Sequence, residues 1–82
     1  MKYLIEFRPK AMKDLRNLNP NDASRIVTKI RLLENDLSGD VKKLVDFDNA
    51  YRLRIGDYRV LFDVQSNHIV VYRIKHRREA YK

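Results

Sequence analysis

The chain opens with an alternating pattern of apolar and polar residues and then changes to a helical one. Residues Lys2 to Phe7 alternate well enough to predict a strand, with Tyr3, Ile5 and Phe7 on one face. Pro9 suits the first turn of a helix, which the spacing of apolar residues extends to about Leu18. The apolar stripe of this helix consists of Ala11, Leu15 and Leu18.

A second helical pattern follows almost at once. Asn19 is placed to cap its amino end and Pro20 to be its first residue, and the pattern reaches about Leu37. Gly39 then suits the carboxyl-terminal cap. Because only a short turn separates the two helices, the sequence predicts an αα-hairpin. The stripe that the second helix would bury consists of Ala23, Ile26, Val27, Ile30 and Leu33 or Leu37.

Beyond residue 40 the apolar period changes to two, which is typical of strands. The segments with this period are Val41–Phe47, a weak strand or extended segment, and the clear strands Ala50–Ile55, Tyr58–Val64 and His68–Ile74. Gly56 and Asp57 form a two-residue hairpin turn, and glycine in its first position favours type II′. The order β-αα-ββββ predicts one α+β domain over residues 1–82, with the helices packed on one face of a mostly antiparallel sheet.

The two-residue turn predicts how its flanking strands pair. Arg54 should lie opposite Arg59 and Leu53 opposite Val60, so that apolar residues occupy one face of the hairpin. The other face then carries Arg52, Arg54 and Arg59. Like charges opposite each other destabilise a sheet, by about 0.2–1 kcal/mol, so three arginines on one face indicate an anion-binding surface. The plainer alternative is that they extend into water or pair with Asp46, Asp48 or Asp63.

The distribution of charge also favours an anionic partner. The net charge is +7, and residues 51–82 carry eight Lys and Arg against three Asp and Glu, whereas residues 1–50 carry ten against eight. Six of those eight cations are arginine, whose planar fork suits phosphate. A polyanion is therefore the favoured partner, and nucleic acid is favoured over a membrane surface because no basic amphipathic helix is evident.

The segment from Lys75 to Lys82 combines arginines with His76 and Tyr81, which suit proton transfer and base stacking. A frayed, solvated chain end is the plainer explanation. Whether Arg73, just before this segment, faces the arginines or the core stays open, because it depends on the loop at residues 65–67.

Composition excludes several classes of site. The chain has no cysteine and only two histidines, so it cannot form a disulfide, and neither a zinc site nor a cofactor is expected. No stretch approaches 18 apolar residues, and a charge stands where a signal peptide needs an apolar run. A cytoplasmic protein without a membrane partner is the expectation.

Two stretches, together with the order of elements, carry a family resemblance. They are Tyr51-Arg-Leu-Arg-Ile-Gly-Asp-Tyr-Arg-Val-Leu-Phe62 and Val71-Tyr-Arg-Ile-Lys-His-Arg-Arg-Glu-Ala-Tyr81. The chain resembles the RelE/ParE toxin superfamily, its RelE branch most closely, over essentially its whole length. The resemblance implies the toxin of a type II toxin–antitoxin pair. It implies an endoribonuclease that cleaves mRNA in the A site of the 70S ribosome, where 16S rRNA is also contacted.

The resemblance implies further chemistry and partners. The ribose 2′-OH would attack the neighbouring phosphate without a metal, giving a 2′,3′-cyclic phosphate and a free 5′-OH. A cognate antitoxin would cover or distort the site. Operator DNA would be bound only through the antitoxin complex.

Residue roles follow from the same resemblance. Arg59 matches a family arginine that stabilises the charge growing on the phosphate. Arg52 and Arg54 match basic strand residues that contact RNA, where relatives often carry lysine. Since arginine stays protonated and lysine can act as a base, Arg52 and Arg54 are expected to be phosphate clamps.

The C-terminal segment receives roles in the same way. Arg77, or Arg78, matches an arginine near the leaving group, and Tyr81 matches a tyrosine that stacks on a base. His76 sits where relatives vary, and histidine ordinarily titrates near neutral pH, so it is the candidate general acid or base. The alternative is that His76 only shapes the tail. Arg78 and Arg73 complete the expected RNA-binding set.

Two other functions stay open at this point. The first is a ParE-like toxin, which has the same fold but poisons DNA gyrase without cutting RNA. ParE-type chains tend to have longer helices and to lack the arginine, histidine and tyrosine set. The second is a non-catalytic binder of nucleic acid or of the ribosome on the same scaffold.

Overall fold

A five-stranded sheet organises the molecule in a computed structural model that describes residues 2–35, 37, 39–44 and 50–80. The elements are β1 Leu4–Phe7, α1 Pro9–Arg16, α2 Pro20–Arg31, β2 Val41–Lys43, β3 Ala50–Ile55, β4 Tyr58–Gln65, β5 His68–His76 and α3 Arg77–Ala80. The strand order is β1-β5-β4-β3-β2, with β1 parallel to β5 and the other pairs antiparallel. This confirms the predicted α+β fold. Within the described ranges, no helix is long and apolar enough to cross a bilayer.

The two helices begin where the sequence predicts, but both end earlier. The Asn19 side chain accepts a hydrogen bond of 2.9 Å from the Asp22 N–H, which confirms the cap of α2. After Arg31 the helix tightens into a 3-10 turn, Leu32–Glu34, so the prediction of a helix to Leu37 is wrong. This turn buries Leu33 fully and leaves Leu32 51% exposed, so one of two adjacent leucines reaches the core.

The core lies between the helices and one face of the sheet. Both predicted stripes face this core: Ala11, Ile26 and Ile30 are fully buried, and the other stripe residues of the two helices are partly buried. The residues that form this core are Ala11, Ile26, Ile30, Leu33, Leu53, Ile55, Val60, Phe62, Ile69, Val71 and Ile74. The sheet therefore has a helix-side face, which is apolar, and a second face turned away from the helices, called here the open face.

The β3–β4 hairpin has the predicted register. Arg54 pairs with Arg59, and Leu53 with Val60, across the turn of Gly56 and Asp57. Gly56 has a φ of +55°, and among the described non-glycine residues only Ser66 has a positive φ. Asp57 therefore has a negative φ, as in the type II′ turn that glycine in the first position favours.

The β4–β5 pairing contains an irregularity that sets the direction of Arg73. Phe62 pairs with Val71, but Leu61 pairs with Arg73, so Tyr72 is an extra residue at a β-bulge. Without this bulge, Arg73 would lie opposite the buried Val60 and point into the core. The bulge places it on the open face. Its direction is therefore set inside the strand and not, as expected, by the loop at residues 65–67.

Helix α1 covers the part of β5 that β1 does not reach. The β1–β5 pairing ends at Phe7 and Val71, and α1 packs beside the remainder of β5. Asp14 accepts hydrogen bonds from the Ile74 N–H at 2.9 Å and from Arg73 through Nε at 2.9 Å and Nη2 at 3.2 Å. Burial would raise the pKa of Asp14, but these hydrogen bonds and the charges of Arg73 and Lys75 outweigh it and hold that pKa below its ordinary value.

Candidate nucleic-acid interface

Three cations form a row across the open face near the hairpin turn. Arg54 on β3 pairs with Arg59 on β4, which pairs in turn with Lys75 on β5. Directly opposed residues have Cβ atoms about 4.5–5.5 Å apart, so the three cationic side chains leave the sheet at adjacent positions. This set is called here the cationic row. Such an arrangement disfavours the isolated sheet and favours binding of an anion.

A second line of cations runs parallel to the cationic row, one step further from the turn. It consists of Lys42, Arg52 and Arg73, with Leu61 between the two arginines. The open face therefore presents positive charge on β2, β3, β4 and β5. Four strands contribute to a surface for which the sequence predicted arginines on two strands and left the direction of Arg73 on a third open.

Arg59 is the buried member of the cationic row. Only 6% of it is exposed, while the Arg54 side chain is 57% exposed. Arg59 Nη1 donates to the carbonyl oxygens of Gly56 at 2.8 Å and Tyr58 at 2.9 Å. The turn thus fixes the guanidinium against the sheet, with Arg54 and Lys75 on either side. A charge held in place among partly desolvated groups acts more strongly on a nearby anion than one in water.

Arg52 and Arg54 share a carboxylate at the edge of the open face. Asp40 lies 3.9 Å from Arg52 Nη2 and 3.7 Å from Arg54 Nε. Asp40 and Arg54 are 56% and 57% exposed, so the long pair between them contributes little to stability, whereas the Arg52 side chain is only 17% exposed. Asp46 and Asp48, the partners considered from the sequence, lie outside the described residues.

Arg73 is held by an ion pair with helix α1. Its two contacts with Asp14 are those of a bidentate pair, and its side chain is 35% exposed. Its charge is therefore largely offset by Asp14. Arg73 adds contact surface to the open face but little net positive charge.

The C-terminal helix α3 begins beside the hairpin turn. The Arg77 N–H donates to the Asp57 carbonyl at 2.7 Å, and Arg77 Nε lies 3.8 Å from Asp57 Oδ1. Arg77 and Asp57 are both well exposed. Arg77 is thereby brought to the same end of the sheet as the cationic row. Tyr81, the other catalytic candidate of this segment, lies outside the described residues.

His76 occupies the opposite face of the sheet. It pairs with Tyr58, whose ring meets the imidazole edge-on at 5.6 Å, and its Nδ1 accepts from the Arg78 N–H at 3.3 Å. The Tyr58 hydroxyl donates to Asp22 at 3.0 Å; this hydrogen bond and burial raise the pKa of Tyr58. The groove beside His76, about 550 Å³ in volume, is lined by Asp14, Asn17, Leu18, Tyr58, Ile74, His76 and Arg78. The structure therefore does not bring His76 or Arg78 into the cationic row.

Two cations of the open face were missed by the sequence reasoning as site residues. Lys42 could have been found by extending the period of two back from β3, which places it opposite Arg52. Lys75 carried no such signal, because its place opposite Arg59 depends on the bulge at Tyr72. Among the residues that the structure describes, no group of three or more His, Cys, Asp and Glu side chains is placed to hold a metal ion.

The fold is a sheet with helices on one face and cations on the other, and a short basic helix follows its last strand. Comparison with known proteins identifies the class of protein to which the chain belongs. Residues 5–81 match the family described as the ParE toxin of the type II toxin–antitoxin system, parDE. The chain therefore belongs to the RelE/ParE superfamily of type II toxins. It is similar to toxin RelE3 of Methanocaldococcus jannaschii, with 32% identity over 82 residues covering 94% of this chain and 93% of the relative.

Solved structures give the same result. The chain resembles the toxin in the RelB–RelE complex from Methanococcus jannaschii with a TM-score of 0.79 and 30% identity, covering 93% of this chain and 94% of the other. For the archaeal RelE–RelB complex from Pyrococcus horikoshii OT3, the TM-score is 0.80 and the identity 28%, covering 96% and 99%. The resemblance inferred from the residues, and the RelE-like fold, are confirmed.

Proposed function

We propose that this toxin is a cytoplasmic, ribosome-dependent endoribonuclease that cleaves mRNA in the ribosomal A site and so inhibits translation. The observation that carries the proposal is the cationic row, in which a buried Arg59 is fixed between Arg54 and Lys75. A row of like charges lowers the stability of the sheet, so its presence is better explained by a binding function. A phosphodiester is the anion that such a row of cations would bind.

The reaction proposed is an intramolecular transesterification. The 2′ oxygen forms a bond to the adjacent phosphorus while the bond to the 5′ oxygen of the next nucleotide breaks, leaving a 2′,3′-cyclic phosphate and a 5′-OH. One proton leaves the 2′-OH and one reaches the 5′ oxygen. Negative charge grows on the non-bridging oxygens, and Arg59 stabilises it without a metal. Arg77, beside the turn, is the candidate to stabilise the leaving oxygen.

The other site residues bind and orient the RNA. Arg52 and Arg54 clamp phosphates from the edge of the open face, and Arg78 and Arg73 extend the contact at the end and along the length of β5. Tyr81 stacks on a base. Because arginine stays protonated in proteins, none of these arginines is the base.

His76 is the candidate for proton transfer. It lies on the helix-side face but at the last position of β5, immediately before Arg77. RNA that crosses this end of the sheet would pass both residues. A role for His76 therefore requires that the scissile bond sit at the strand end and not over the middle of the open face.

A cognate antitoxin is the proposed protein partner. The support is that the RelE chains of Methanococcus jannaschii and Pyrococcus horikoshii OT3 are each in complex with RelB. Operator DNA would be bound only through the antitoxin complex.

A ParE-like action on DNA gyrase is the alternative, favoured by the description of the family that matches residues 5–81. Against it, α1 has 8 residues and α2 has 12, which are short helices. The arginine, histidine and tyrosine set is also unlike a ParE-type chain.

Expression in growing cells, followed by mapping of mRNA 5′ ends, tests the proposal. The wild type should give codon-phased cuts within translated regions. Arg59→Ala should lower the cleavage rate by about 10²–10³-fold, the effect of losing one fixed electrostatic donor. Arg31→Ala, which removes an exposed arginine from the end of α2, is the matched control and should cleave normally.

Three results would contradict the proposal. Growth arrest by Arg59→Ala at the wild-type rate would remove the catalytic assignment. Induction of the DNA-damage response without mRNA cuts would favour the ParE-like alternative. If neither response occurs and the protein still binds ribosomes, the remaining function is that of a non-catalytic binder. Since Arg59 is buried, Arg59→Lys serves as the milder variant if Arg59→Ala fails to fold.

The role of His76 is tested separately. If His76→Gln cleaves mRNA at the wild-type rate, the general base is another group.

A further inference from the structure

An aromatic ring lies on the open face, away from the cationic row. Tyr72 is the extra residue of the β-bulge and is 36% exposed. Its hydroxyl donates to Asp63 Oδ2 at 2.8 Å. Asp63 pairs with Val70 on the open face, between the core pairs of Phe62 with Val71 and Val64 with Ile69. The Tyr72 side chain therefore lies over the open face.

The ring borders a groove that carries positive charge. The groove has a volume of about 510 Å³ and is lined by Arg8, Pro9, Lys10, Tyr72 and Arg73. Arg8 and Lys10 are exposed, and Pro9 fixes the chain where β1 gives way to α1. The pair of Arg73 with Asp14 forms one rigid wall. Arg8 lies near enough to the Tyr72 hydroxyl for its charge to act on that group.

These features combine an aromatic plane with nearby cations, which is how proteins hold unpaired bases and their phosphates. We propose that this groove is a second RNA subsite, in which Tyr72 stacks on an unpaired base while Arg8 and Lys10 contact adjacent phosphates. The proposal rests on the function proposed above, because it takes the RNA that is cleaved as its ligand.

The position of the groove fits a flanking nucleotide. Asp63, which anchors the ring, is four residues from Arg59 along β4, a distance of about 13 Å at strand spacing. Both lie on the open face, so one RNA strand can run from Arg59 to Tyr72 without turning a corner. Tyr72 would therefore hold a base a few nucleotides from the scissile bond and influence which sequences are bound.

The local charges decide which residues contact phosphate. Asp63 accepts from Tyr72, and Arg73 shares its charge with Asp14, so Arg8 and Lys10 carry most of the attraction. Glu6, exposed on β1, opposes them on the same face. Since Arg8 and Lys10 are the two cations of the described groove lining that no carboxylate pairs with, stacking should contribute more of the affinity here than phosphate contact does.

A tryptophan reporter tests the stacking directly, since the chain has no tryptophan. Tyr72→Trp places the only indole of the protein in the groove, and Leu4→Trp places it at a 57% exposed position at the far end of β1. A short single-stranded RNA with 2′-O-methyl riboses, which cannot cleave itself, should quench the fluorescence of the first variant and not of the second.

Affinity measurements with the same RNA complete the test. Tyr72→Leu should weaken binding by about 5- to 150-fold, the range for loss of one base–aromatic stack, and Tyr72→Phe should bind nearly as the wild type does. Arg8→Ala and Lys10→Ala should each weaken binding and reduce its salt dependence.

Several outcomes would overturn the subsite. One is that RNA does not quench the fluorescence of Tyr72→Trp, and another is that Tyr72→Leu binds RNA with wild-type affinity. A third is that Tyr72→Leu and Tyr72→Phe lose the same affinity, which would make the hydrogen bond to Asp63, and not stacking, the cause. Wild-type RNA affinity in Tyr72→Leu with loss of antitoxin binding would assign the groove to a protein. All of these are distinguishable from failure of the proposed function, because that failure appears in wild-type cleavage and in Arg59→Ala.

Discussion

The two faces of the sheet meet opposite demands although they alternate along the same strands. On the helix-side face, Val60 and Phe62 are buried against α1 and α2 and contribute to stability. On the open face, Arg59 stands between two other cations, an arrangement that works against stability. The difference shows that one strand can serve folding with its even positions and binding with its odd ones, because the side-chain period of a strand is two.

The largest expected contrast comes from truncating one residue on each face. Phe62→Ala should lower the free energy of unfolding by about 3–5 kcal/mol, because it leaves a cavity under the helices. Leu61→Ala, its neighbour on the open face, should lower it by less than about 1.5 kcal/mol, since Leu61 is only half-buried. Urea denaturation of both variants measures the two changes in the free energy of unfolding. Equal decreases would mean that the open face contributes as much to stability as the helix-side face does.

A medium effect is expected where the faces meet, at the edge of β5. Asp14→Asn should lower the free energy of unfolding at pH 7 by about 1–3 kcal/mol, because it weakens charge-assisted hydrogen bonds to Arg73 and Ile74. Since the folded pKa of Asp14 is depressed, this stabilisation is complete above the ordinary pKa of the carboxyl and is lost as pH falls through the folded one.

The difference between wild type and Asp14→Asn should therefore shrink below about pH 4, the ordinary value for Asp. Asp57→Asn, which alters the exposed and longer pair with Arg77, is the control and should cost less than about 1 kcal/mol. Urea unfolding at several pH values measures both. A difference between wild type and Asp14→Asn that grows in acid would refute the linkage.

The smallest effect has the opposite sign. Arg54→Thr should raise the free energy of unfolding by a few tenths to about 1 kcal/mol, since it removes a like-charge contact with Arg59 and introduces a residue that favours strands. The same change should weaken RNA binding. Thermal unfolding and RNA titration of one preparation measure both quantities. A variant that is less stable, or that binds RNA as the wild type does, would remove the trade-off between the faces.

The sequence was sufficient wherever a local rule decided the geometry. A two-residue turn fixes its own register, so the opposition of Arg54 and Arg59 could be predicted from Gly56 and Asp57. The cap at Asn19 is another local rule. The family could be predicted as well, because its motifs lie in the hairpin and in the C-terminal segment.

The sequence was insufficient where packing chose between similar local alternatives. Leu32 and Leu33 are equally apolar, and only the 3-10 turn decides which is buried. The bulge at Tyr72 has no local signature, yet it turns Arg73 and Lys75 to the open face and His76 to the other. The roles of the candidate site residues, Tyr81 included, remain predictions for the experiments above.

The contact between Asp14 and the Ile74 N–H has a consequence for association. A strand whose outer amides are vacant is a template on which a strand of another molecule can add, and repeated addition leads to aggregates. In this toxin, the stretch of β5 past the end of β1 would be such a template, but the α1 carboxylate already occupies the Ile74 amide. One acidic side chain thus removes an amide to which a strand added along that side would have to bond.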